Sequence, residues 1–114
     1  PESLDLDAMR RSADLLLGEH DFKAFTSAKK SKKSTVRRID EIRIEQKGDL
    51  VEFVFTGNGF LHHMIRILMG TLLEVGKGIR TPESITEVLE SGDRAKAGPL
   101  VPAKGLVLEE VFYT

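Results

Sequence analysis

The sequence contains no cysteine and no tryptophan, one tyrosine and four prolines. The missing cysteines exclude disulfides, thiolate metal sites and cysteine nucleophiles, and they suit a cytoplasmic protein. The first twenty residues, PESLDLDAMRRSADLLLGEH, show no basic region followed by an apolar one, the pattern of a secretory leader. No apolar run approaches the roughly 20 residues of a membrane span, so no membrane partner is expected. No HExxH or comparable spacing suggests a metal site, and Gly57-Asn58-Gly59 lacks the lysine and hydroxyl of a phosphate-binding loop.

What is present fits one domain. The chain has 114 residues, 40% hydrophobic and 31% charged, enough to bury roughly two thirds of its unfolded surface around a single core. The net charge of −1 conceals an uneven distribution. Lys29, Lys30, Lys32, Lys33, Arg37 and Arg38 fall within ten residues, whereas the first 21 residues are acid-rich. Such a basic tract suits contact with a phosphate backbone, and equally a solvated loop that keeps the protein soluble.

Apolar residues at helical spacing predict a helix over residues 5–19, capped by Ser3 or Asp5. Asp21-Phe22-Lys23-Ala24-Phe25 reads as a turn with two aromatic anchors. Residues 36–46 and 50–56, joined by Lys47-Gly48-Asp49, read as an antiparallel hairpin rich in β-branched and aromatic residues. The spacing then predicts a central helix over 60–75, ended by Gly76 and Gly78. A second helix from Thr81 to about Leu89 has threonine as cap and Pro82 in its first turn. Residues 94–104 read as a loop and 105–113 as a strand. The order predicts an α+β fold: a mostly antiparallel sheet with helices packed on one face.

The central helix carries most of the information. It is apolar almost all round, yet His62, Arg66, Gly70 and Glu74 recur every four residues, with His63 beside them. An arginine on such a helix requires an anion, because an uncompensated buried charge costs roughly 3–5 kcal/mol. Glu74 lies two turns on, about 12 Å away along the axis, too far to pair directly. A carboxylate elsewhere in the fold, a partner domain, a phosphate, or water reached by a snorkelling stem all satisfy Arg66.

The segment GNGFLHHMIRILMGTLLEVGKG resembles the helix motif of the tRNA pseudouridine synthase A family. The resemblance extends to Asp21-Phe22 and Phe25, to Thr35-x-Arg37, and to Ala103-Lys104-Gly105-Leu106-x-Leu108. It implies an enzyme of two α+β halves joined in a V, of which these residues form the C-terminal one. The family converts uridine to pseudouridine in the anticodon stem-loop of tRNA, with neither organic cofactor nor metal. Its nucleophilic aspartate lies in a motif like G-R-T-D-x-G-V-H, which does not occur in this sequence. The resemblance therefore implies that Arg66 pairs with an aspartate of an N-terminal domain, that Leu106 packs near the target base, and that His63 plays a supporting role. It also implies a homodimer and makes the basic tract part of the tRNA surface. Ile67 stands where the family often has asparagine. A non-catalytic RNA-binding module is the alternative.

Overall fold

The computed structural model describes residues 3–28, 33–102 and 107–114. The first helix, α1 (Leu6–Asp14), starts where Asp5 accepts the Ala8 N–H on its side-chain oxygen at 3.0 Å. That cap satisfies one of the amides left over at a helix start. The helix is shorter than its spacing predicts: it ends at Asp14, and Gly18, with φ of 91°, begins an unpredicted strand β1 (Gly18–Asp21). The tetrapeptide Gly-Glu-His-Asp has no alternation of its own. It becomes a strand because β2 offers a partner backbone, with Gly18 opposite Ile39 and Asp21 opposite Val36.

The predicted hairpin is present as β2 (Val36–Lys47) and β3 (Leu50–Gly57), with Gly48 turning the chain at φ of 62°. The odd spacing from Ile39 to Ile42 breaks the period of two, and a register irregularity between Ile39 and Glu41 absorbs it. The last strand, β4 (Val107–Tyr113), lies parallel to β3, so the sheet runs β1-β2-β3-β4 with two antiparallel pairings and one parallel. Parallel neighbours need a crossover, and here the helices supply it. The fold is α+β with a mostly antiparallel sheet.

The crossover contains α2 (Met64–Gly76), α3 (Ser84–Ser91) and a 3-10 turn at Arg94–Lys96. Helix α3 starts later than its sequence suggests. Thr81 is not its side-chain cap; the cap position is Glu83, which makes no side-chain cap bond. Gly92, at φ of 61°, closes it with an N–H to the Val88 carbonyl. The core joins Met9 and Ala13 of α1 to Phe53 and Phe55 of β3 and to Ile67, Leu68 and Leu72 of α2. Phe53 and Phe55 alternate onto the same face and stack with centroids 6.2 Å apart. At its far end α2 meets α1 so closely that a Cβ on Gly76 would overlap the Met9 sulfur. Among the described residues, no helix is long and apolar enough to cross a membrane.

Candidate functional site

The approach to α2 differs from the predicted helix, and the difference shapes the site. Residues 60–63 are not helical: Gly59 has φ of 155°, and His63 sits in the left-handed region at φ of 62°, where a non-glycine residue is strained. A tight turn results, with Met64 N–H bonded to the Leu61 carbonyl at 3.0 Å. His62 therefore leaves the four-residue stripe, and both histidines stand ahead of the helix, with ring centroids 3.8 Å apart. Because α2 begins at Met64, Arg66 lies in its first turn, half-buried.

The aromatic turn after β1 brackets this entry. Phe22 and Phe25 are fully buried and meet edge to face at 6.2 Å, anchoring the segment in the core. Asp21 accepts the Thr35 hydroxyl at 2.5 Å and the Lys23 amide at 3.1 Å. Thr26 donates its hydroxyl to the His62 carbonyl at 3.0 Å, and the Ser27 amide donates to the same carbonyl at 3.3 Å. The Ser27 hydroxyl lies 3.1 Å from His63 Nδ1. The motif residues around 21–27 and 60–63 thus hold one another.

Two grooves flank Phe60 and Leu61. The smaller, about 340 Å³, is lined by His63, Met64 and Arg66 from α2 and its cap, and by Val111 and Tyr113 from β4. The larger, about 510 Å³, is lined by Lys23, Thr26, Lys33, Arg37 and His62. Lys23, Lys33 and Arg37 bring positive charge to the larger groove, and Arg66 brings it to the smaller. The His63 pKa lies below the ordinary imidazole value, first through desolvation, then through repulsion from His62 and Arg66.

The expected site residues separate accordingly. Arg66 and His63 share the smaller groove, and Lys33 and Arg37 the larger. Arg37 and Arg38 follow one another on β2 and point to opposite faces. Arg38 donates to Asp40 at 2.7 Å and to the Thr114 hydroxyl at 2.8 Å, and this pairing lowers the Asp40 pKa. Lys29, Lys30, Lys32 and Leu106 lie outside the described residues. Glu74 is paired with Arg80 at 3.0 Å, a meeting of charges rather than an aligned hydrogen bond, since Glu74 Oε1 and Arg80 Nε have no hydrogen-bond partner.

Lys23 and Tyr113 were not singled out from the sequence. Lys23 is one cation in a polar turn, and Tyr113 sits on a strand whose neighbours only the fold reveals. Among the described residues no three histidine, aspartate or glutamate side chains stand together as a metal-binding group.

Comparison with known proteins gives this arrangement its context. A profile of the tRNA pseudouridine synthase family matches residues 12–114. The chain is 53% identical over 111 residues to tRNA pseudouridine synthase A of Myxococcus xanthus, covering 96% of this chain and 42% of the relative. It is 46% identical over 112 residues to tRNA pseudouridine synthase A 2 of Clostridium perfringens, covering 98% of this chain and 46% of the relative. For tRNA pseudouridine synthase A of Brevibacillus brevis the identity is 49% over 110 residues, with 96% and 45% covered. The chain thus spans a little under half the length of these relatives. With that profile running through the aromatic turn, the hairpin and the whole of α2, the chain belongs to the tRNA pseudouridine synthase family.

Proposed function

We propose that this chain is the C-terminal half of a tRNA pseudouridine synthase that isomerises uridine in the anticodon stem-loop. In this isomerisation the uracil separates from the ribose at N1 and rejoins it through C5, with no net gain or loss of atoms. The other half supplies the nucleophilic aspartate. Arg66 faces that carboxylate across the cleft and keeps it ionised and oriented, because an adjacent cation favours the charged form of an acid.

The observation that carries the reading is the position of Arg66: the first turn of a core helix, in an open groove walled by Phe60 and Tyr113. A rigid helix fixes the charge, and the groove leaves room for a partner group. Leu106 packs near the target base, and His63 supports the arginine from one turn away. The larger groove, with Lys23, Lys33 and Arg37, receives phosphates of the tRNA together with the lysines at 29, 30 and 32. The full-length protein works in the cytoplasm as a homodimer, without cofactor or metal.

Tritium release from tRNA labelled at uracil C5 tests the proposal. The full-length protein is expected to release tritium from the anticodon arm, and these 114 residues alone are expected to release none. Activity of the isolated chain contradicts the two-half reading. A full-length protein that binds tRNA without release leaves a non-catalytic RNA-binding module instead.

A further inference from the structure

After the 3-10 turn at Arg94–Lys96 the chain crosses α2 at very close range. A Cβ on Gly70 would overlap the Pro99 carbonyl oxygen, and a Cβ on Gly98 would lie 2.7 Å from the Thr71 backbone. Backbone meets backbone here because both positions are glycine. The Gly98 N–H donates to Thr71 Oγ1 at 2.8 Å, and the same hydroxyl donates to the Ile67 carbonyl at 2.8 Å. Thr71 is 0% exposed. A hydroxyl carries one proton and two lone pairs, so this one serves both a donor and an acceptor role. Further along, the Val101 N–H donates to the carbonyl of Arg66 itself at 3.3 Å.

We infer that Thr71 is a positioning residue: its bond to Gly98 holds the 97–101 crossing in register on α2 and thereby steadies the Arg66 turn, whose carbonyl accepts the Val101 N–H. The inference rests on the reading of Arg66 given under Proposed function. Threonine at a buried helix position, where valine has the same shape, is explained by the hydroxyl, which satisfies an amide that water does not reach. The crossing leads from Thr71 toward the Arg66 turn, so an error in its register reaches the arginine through one shared hydrogen bond.

The test compares Thr71→Val and Thr71→Ser in the full-length protein with Val88→Ala, a core truncation on α3. Val88 is 3% exposed and belongs to neither groove. Thr71→Val is expected to lower kcat by about tenfold or more, since small misplacements of reacting groups cost that much. The KM for tRNA stays within about twofold, as expected for a loss confined to the transition state. The Gly98 and Val101 amides are expected to exchange with solvent about tenfold faster. Thr71→Ser restores both readouts, and Val88→Ala lowers Tm without changing kcat. Should Thr71→Val fail to fold, Thr71→Ala gives the same comparison. If kcat in the hydroxyl-less variant merely follows Val88→Ala at equal stability, or if the two amides stay protected, the inference falls. If instead Arg66→Ala keeps full activity, the reading of Arg66 fails, and amide exchange still reports separately whether the Thr71 bond holds the crossing.

Discussion

The rings of Phe60 and Tyr113 stand 5.5 Å apart, tilted by 60°. One residue begins the turn into α2 and the other lies near the end of the last strand. Together they close the wall of the groove that holds Arg66 and His63. Tyr113 is nevertheless 67% exposed, so much of its ring stays open to a ligand. Aromatic rings of this kind are common platforms for unstacked bases. Because Tyr113 is the only tyrosine in the chain, its ring resonances are unambiguous. In an NMR titration with an anticodon stem-loop RNA, the Phe60 and Tyr113 rings and the Arg66 Nε–H are expected to shift together. Shifts confined to the Lys33 and Arg37 groove would show that RNA does not enter the smaller one.

Arg66 is expected to be the most sensitive position for chemistry. In the full-length protein, Arg66→Ala should lower kcat on the order of 10²-fold, the scale seen when one electrostatic stabiliser at a reacting centre is removed. Because Arg66 is half-buried in the first helical turn, a cationic side chain there also opposes the helix dipole. Its removal should therefore leave the thermal midpoint nearly unchanged. A variant with unaltered kcat would remove Arg66 from the mechanism.

His63 provides a pH signature. Its pKa is lowered by desolvation, by His62 and by Arg66. The unfolded chain therefore binds the proton more readily than the folded one. Stability contributed by the neutral ring is complete above the ordinary imidazole range and is lost as pH falls through it toward the folded value. Arg66→Gln removes one repulsive cation, so the His63 pKa is expected to rise toward the ordinary value. Ring proton shifts followed against pH measure it directly, and an unchanged or lower value would contradict the assignment.

The two neighbouring arginines should behave differently. Arg37 lines the larger groove and donates only to the Ser34 and Val36 carbonyls among the described bonds, whereas Arg38 is paired with the Asp40 carboxylate and bonded to Thr114. Arg37→Ala is expected to weaken tRNA binding and to reduce the slope of log K against log salt by about 0.7–0.9 for each phosphate that the variant no longer neutralises. Arg38→Ala should change the slope less, and should let the Asp40 pKa return upward. Equal slopes for the two variants would show that both reach phosphate.

Among the described glycines, Gly70 has the closest backbone neighbour. A methyl there would overlap the Pro99 carbonyl oxygen, and the opposing atom is backbone. Gly70→Ala is expected to destabilise the protein by about 1–3 kcal/mol, the usual range for overpacking, although alanine is the better helix former. Urea denaturation measures this. An unchanged or raised midpoint would mean that the crossing relaxes away from α2 without cost.

Much of this architecture is legible in the residues themselves. The period of two in residues 42–45, the β-branched and aromatic residues of 50–56 and the Gly48 turn point to the hairpin. The apolar residues of α2 determine a helix in the core, and the family is shown by a match that runs over residues 12–114. The stripe at residues 62, 66, 70 and 74 is visible as a seam, but its meaning is not. Tertiary packing divides it: His62 falls in a turn, Arg66 lines a groove, Gly70 admits Pro99, and Glu74 pairs with Arg80. Strand β1 likewise exists through its partner on β2, and the left-handed His63 is held by the bracket at Thr26 and Ser27. Periodicity is a property of neighbours along the chain, so sequence alone determined the hairpin and the core helices, but neither β1 nor where α2 begins. Which residue meets which across 27 or 36 positions depends on how those faces close on one another, and only the tertiary structure decided it.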